Sequence, residues 1–508
     1  MIIMYDVPFM LSVILSLLCC LSRSASANCM NSEWQQVFEN DKAGKHVSGS
    51  LSKLINGINN GARVRVSLGT YFTEADSVSI VKGNVVCGQL LQHVSKASWQ
   101  SFQSNAYHWW VMACSNGFYQ MTRYNVGDHT HRGDTRTKGS FKWFIKKSSI
   151  LIYANNKNGN RVSGNLGTLI DFVSNGNDIR GTTGSYSFPY DNVQINYQKK
   201  LLWGQSLDHV SQRTKYSVNE FQRNAYWWYT SLTSQGVRYM TRYSVGTHVS
   251  RGHSNDRTDM KWFVDPCWQH LYTNDANGAT IYGTLKILVD SIKKGHRVRF
   301  VMDNRYAAEA DNIHVKNGVV TIQALKHVSQ AAAGDFQDDA YWYWLMLSTT
   351  GTVRAYRYKI GEAVHLHDSA SKEIIKWYVD SVACKSSWSK LYSHDASGRR
   401  LSGNKKDLKS AVQQGYPVRV ISDPGTNFYS FSAQNIAVNG DDLAAQTLNH
   451  ISQSIKLNGE VTIQSNPYWW FTIVTTNGRR EMSRWTVGKH QDRGKNVDSV
   501  AMEWFVNK

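Results

Sequence analysis

Gln89-Leu90-Leu91-Gln92-His93 returns as Gln205-Ser206-Leu207-Asp208-His209, as Gln323-Ala324-Leu325-Lys326-His327 and as Gln446-Thr447-Leu448-Asn449-His450. The four histidines are 116, 118 and 123 residues apart, so one unit is written four times in a chain of 508 residues. A unit of that length buries a core of its own, unlike the short units of a thin solenoid. The expected organisation is therefore a signal peptide over 1–27 and four tandem homologous domains at 28–147, 148–265, 266–381 and 382–508.

Upstream of the repeated motif each copy begins with an aromatic or apolar strand and a turn. The first turn is Asn40-Asp41-Lys42-Ala43-Gly44, and its counterparts end at Gly159, Gly278 and Gly398. Asn and Asp bond back to the local backbone and Gly supplies positive φ, so these are turns. A calcium loop would need alternating carboxylates and a distal Glu, which are absent. A helix follows: Leu51, Leu54, Ile55 and Ile58 lie at i, i+3, i+4 and i+7, repeated by Leu285, Leu288, Val289 and Ile292. Ser50, Asn165, Thr284 and Asn404 suit N-caps, and Gly61, Gly176, Gly295 and Gly415 suit helix stops.

The rest of each copy alternates with the period of a strand. Arg63–Val66 and its partners come first, then a hairpin through Lys82-Gly83, Asn317-Gly318 or Asn439-Gly440. A second hairpin runs from Tyr107–Trp110 through Asn116-Gly117, and each copy closes on a Trp-aromatic pair such as Trp143-Phe144. The fold class read from this is α+β, each domain being one helix packed on a mainly antiparallel β-sheet.

Composition sets the compartment and the class of partner. Residues 8–21 are almost wholly apolar and Ala25-Ser26-Ala27 offers a cleavage site, so the chain is expected to be secreted, extracellular and without a transmembrane segment after signal removal. The net charge of +19 favours anionic partners: anionic glycans, mucins, and microbial or matrix surfaces, with no specific nucleic acid. Cys29, Cys87, Cys114, Cys267 and Cys384 remain beyond the signal. Cys87 and Cys114 form the simplest local pair, and the odd count allows a disulfide-linked oligomer.

Several polar residues recur in register. Arg65, Arg180, Arg299 and Arg419 occupy the strand after the helix, and Arg123, Arg242, Arg357 and Arg484 the late hairpin. A Gly-x-His-x-x-Arg-Gly loop adds His129 and Arg132, His248 and Arg251, and His490 and Arg493; copy three has Ala363 in the histidine's place. A guanidinium presents a planar fork to carboxylate or sulfate. These residues are the candidate ligand contacts. His93, His209, His327 and His450 recur too, with a structural role as the competing reading, and the Tyr-x-Trp-Trp strand reads as core or as a stacking surface.

No catalytic set stands out: there is no Gly-x-Ser-x-Gly, His-Glu-x-x-His or phosphate-binding glycine loop. Two histidine pairs, His129/His131 and His365/His367, lack recurring third ligands for zinc, so no cofactor and no metal is expected. Arg132-Gly133-Asp134 occurs in copy one alone. The reading is a secreted, non-catalytic, multivalent binder of anionic polymers or glycans; an extracellular matrix protein and a secreted hydrolase are the alternatives.

Overall fold

Alternation along each strand fixes which side chains share a face but leaves open which strand lies alongside, and the partners turn out to come from neighbouring copies. The computed structural model describes residues 34–507, except 93–95, 99, 105, 127, 147–148, 185, 209, 216–217, 224, 246, 266, 327, 331–333, 339, 361–364, 381–387, 426, 450–452, 456–460, 464–467 and 488–490. The proposed signal peptide, Cys29, Cys384, His490 and the motif histidines His93, His209, His327 and His450 lie outside the described residues.

The α+β expectation is overturned. Strands make up 63% of the structure and helices 9%, in several large antiparallel sheets. The expected helices form at α1 (Leu51–Asn59), α2 (Leu166–Ser174), α3 (Leu285–Lys293) and α4 (Lys405–Gln413), but each has only nine residues. Ser50, Asn165 and Asn404 accept cap hydrogen bonds from the first turn, whereas Thr284 makes none. The helix carries the strongest local periodicity in each copy, yet it is one short element among many strands, so the fold is mainly β.

Four ten-stranded sheets dominate, and each is built from two copies. The chain of copy one lays Trp34–Asn40, His46–Gly49, Arg63–Leu68, Tyr71–Glu74 and Phe141–Lys146 into one sheet, and Ser77–Val81, Val85–Gln92, Tyr107–Cys114, Phe118–Asn125 and His131–Lys138 into the next. It crosses between them at Ala75-Asp76. Copies two, three and four do the same, so the second half of each copy shares a sheet with the first half of its successor. The fourth copy's Asn435–Asn439 pairs with Tyr71–Glu74 of the first, through Ile436 opposite Phe72 and Ala437 opposite Tyr71, and the ring closes.

A core fills each space between successive sheets. Copy one buries Val64, Val66 and Trp143 of one sheet against Val86, Leu90 and Val111 of the next, with Leu54 and Ile58 of α1. Equivalent cores belong to the other three copies. At the centre of each stands the closing tryptophan. The Nε1 of Trp143, Trp262 and Trp377 donates to Asn40, Asn155 and Asn274, and that of Trp504 to His394. Those acceptors end the first strand of the same copy, at the turn, so turn and core are tied together. Cys87 and Cys114 stand opposite each other on adjacent strands and form a disulfide. No helix among the described residues is long and apolar enough to cross a membrane.

Candidate functional site

Successive residues of a strand point to opposite faces, so the Tyr-x-Trp-Trp strand serves two places at once. One face turns inward. His108, Trp227, Trp342 and Trp469 occupy the same register in the four copies, and Trp110, Tyr229, Trp344 and Phe471 lie two residues on. Ring contacts run from copy to copy: Trp110 to Trp227 at 6.1 Å, Trp227 to Trp342 at 6.1 Å, Trp344 to Trp469 at 5.3 Å and Phe471 to His108 at 5.7 Å. The result is a closed aromatic collar. His129 and His248 of the Gly-x-His-x-x-Arg-Gly loops are buried and meet each other at 4.7 Å beside Trp227. Burial, with His108 adding to it, brings His248 down to about 4.

The collar walls one part of a cavity of about 500 Å³ that draws on all four copies. The rest is a charged belt from the strands after the helices and from the crossings between sheets. Arg63 grips Glu74 with two hydrogen bonds, 2.6 and 2.8 Å. Although burial pushes Glu74 up, Arg63 outweighs it and holds the carboxyl down at about 2. Arg297 pairs with Asp380 and Glu309 and lies over Trp268. Asp76, Asp191 and Asp311 follow the crossing residues, with Gln434 in the fourth copy.

The first set of predicted arginines sits in this belt. Arg65, Arg180, Arg299 and Arg419 are all buried. Arg65 Nη1 donates to Gly415 O at 2.6 Å and Arg299 Nε to Gly176 O at 3.0 Å, each reaching the helix stop of the preceding copy. Arg419 donates to the hydroxyls of Ser430 and Ser432. Burial lowers Arg65, Arg180 and Arg419 to about 10, which leaves them charged at neutral pH. Arg65 and Arg299 tie neighbouring copies together, and all four, being buried, lie out of reach of an extended polymer.

The second set faces outward. Arg123 lies 5.9 Å from the Tyr107 ring and 5.4 Å from Trp109; Arg242 lies 6.0 Å from Tyr226 and 5.1 Å from Trp228. Arg357 covers Tyr341 at 5.8 Å and Arg484 covers Trp470 at 5.7 Å. All four are half-buried. Gly133, Gly252 and Gly494 have φ of 92°, 86° and 85° at bulges, and the carbonyls of Arg132, Arg251 and Arg493 beside them accept from the stacked arginine. Positive φ is what the loop glycine contributes. Arg132, Arg251 and Arg493 are themselves exposed. Nε of Arg123, Arg242 and Arg484 has no hydrogen-bond partner among the described residues.

In copy one Trp109, the ring under Arg123, lines a groove of about 580 Å³ together with Tyr71, Tyr119 and Met121. Lys42 and Lys138 line it, and no carboxylate does among the described residues. The Arg132-Gly133-Asp134 tripeptide lies in strand His131–Lys138, where Asp134 pairs with His131.

The structure thus separates residues that the sequence grouped into one site per copy. It gathers the inner arginines and the loop histidines on the axis, and leaves the outer arginines and Arg132, Arg251 and Arg493 on the rim. The repeated glutamine has a structural partner: Gln89 and Gln205 each exchange two hydrogen bonds with the backbone of the next copy, at Val210 and Val328. The sequence reading missed the inner carboxylates, although Glu74-Ala75-Asp76 and Glu309-Ala310-Asp311 recur in register. Among the described residues no three His, Cys, Asp or Glu side chains gather as metal ligands. No family model matches the chain, and no curated protein is similar to it.

Proposed function

We propose that this protein is a secreted, non-catalytic binder of anionic glycans or related anionic polymers, acting multivalently through the outer rim of the ring. The reading rests on one observation: the same half-buried guanidinium lies across a Tyr or Trp in all four copies, and in copy one the ring beneath it lines a groove with no carboxylate among its described residues. A stacked guanidinium is held in place and keeps N–H donors for sulfate or carboxylate. The net charge of +19 draws a polyanion to the surface. Once one rim site is occupied, the next contact is intramolecular, so modest sites add up to tight binding. A secreted location agrees with the apolar N-terminal segment and with the Cys87–Cys114 disulfide, which persists in oxidising compartments.

The test is retention of the full mature chain on immobilised heparin as salt rises. The variant Arg123→Ala/Arg242→Ala/Arg357→Ala/Arg484→Ala should elute at lower salt, with the log–log salt slope reduced by about four. Equal elution of variant and wild type would remove the rim from the reading.

A further inference from the structure

We propose that the axial cavity is a second and separate binding site, which takes one neutral saccharide. The inference uses none of the rim residues and stands whether or not the rim binds polyanions.

Charge selects against the ligand class expected outside. Among the described residues, six cations and six carboxylates line the cavity, and their formal charges cancel. An anion entering would meet the carboxylates, and a cation would meet the guanidinium groups. A hydroxyl both donates and accepts, and a wall that alternates carboxylate with guanidinium serves it from either side. Eight tryptophans among the described residues line the same space. Trp227, Trp342 and Trp469 are only half-buried, which leaves ring surface for the C–H face of a pyranose. The two kinds of wall meet in one cavity, as an amphipathic ring with an apolar face and a polar edge requires.

Buried donors give an independent sign. Trp110 and Trp344 line the cavity at 4% and 1% exposure, and neither indole N–H has an acceptor among the described residues. The same is true of Nε in Arg65 and Arg180, each 4% exposed. Buried donors are ordinarily satisfied, and ligand oxygens would supply what the chain does not. The volume of about 500 Å³ suits one small ligand. The stoichiometry follows from the unlike copies. Glu74, Pro189, Glu309 and Ser432 stand at one register, so the axis offers a single asymmetric site rather than four equal ones.

The experiment titrates the full mature chain with neutral di- and trisaccharides of glucose, mannose, galactose and N-acetylglucosamine, following tryptophan fluorescence at low and high salt. At least one should bind saturably, one per chain, with equal affinity at both salt concentrations. Trp227→Ala and Trp342→Ala should each weaken binding by about tenfold or more. Asp191→Asn, which keeps the side-chain shape, should weaken it as well and covers the case in which a collar variant fails to fold. The rim variant Arg123→Ala/Arg242→Ala/Arg357→Ala/Arg484→Ala should bind the saccharide as wild type does. The proposal is overturned if no neutral saccharide binds, if binding survives both Trp227→Ala and Asp191→Asn, or if it follows the rim variant instead. Unchanged heparin elution of the rim variant, with saccharide binding intact, would sink the rim reading alone.

Discussion

Copy two carries Tyr190 where the other copies have Ala75, Ala310 and Ala433. Its ring stacks on Trp262 at 5.2 Å and occupies space that two glycines leave open. A Cβ on Gly181 would come within 2.4 Å of the Tyr190 hydroxyl, and one on Gly204 within 2.1 Å of the ring. Gly181 stands where the other copies have Val66, Phe300 and Val420, and this loss of bulk is half of a volume exchange, legible only once Tyr190 is known to face it. We expect Gly204→Ala to cost about 1–3 kcal/mol in wild type and much less beside Tyr190→Ala, as a double-mutant cycle in denaturant would measure. Acid acts at this scale too. His248, facing His108 and His129, is held at about 4 when folded, against an ordinary value of 6.5. Between those values the unfolded chain takes up a proton that the folded chain refuses. The stability from a neutral His248 is therefore complete above about pH 6.5 and lost as pH falls towards 4. The thermal midpoint should drop across that window, and His248→Phe should flatten the drop.

At the scale of elements, the helices were plain in the sequence because cap, period and stop are all local. What the stop glycine touches was not. A Cβ on Gly61 would meet Phe263, on Gly176 Tyr378, on Gly295 Phe505, and on Gly415 Phe144. Each helix end thus seats on the closing strand of the next copy, and the last seats on the first. Gly440 offers a comparison, with φ of 60° but nothing within 4 Å of a Cβ. Alanine at either position bears the strain of positive φ, but Gly415→Ala adds a clash with an aromatic ring. We expect it to be the more destabilising by about 1–3 kcal/mol, read from denaturant midpoints. The α+β reading failed at this scale because period-two alternation names faces and leaves partners unstated. The strands after each Gln-x-Leu-x-His motif outweigh the single helix that announced itself.

For the whole molecule, repetition was visible and closure was not. The links Ala75-Asp76, Tyr190-Asp191, Ala310-Asp311 and Ala433-Gln434 look like ordinary turns, yet each passes the chain from one sheet to the next. The axial site exists only through closure, and so its collar and its carboxylates were read as unrelated features. Each sheet needs two copies, so removing residues 382–508 would strip partners from Tyr71–Glu74 and from Asn312–Lys316 at opposite ends of the remainder. Unpaired edges recruit other chains. We expect that truncated protein to elute as oligomer or aggregate rather than monomer, with light scattering as the measure.

The seam between Tyr71–Glu74 and Asn435–Asn439 is made by two paired residues on each side and crosses no covalent link. Nothing in it can tell the molecule's own first copy from that of another molecule. A closed ring and a head-to-tail filament are thus built from the same joint, and they differ only in whether the joint's two halves belong to one chain. Dilution favours the ring, because its own end is always near; crowding two rings at a surface narrows that advantage.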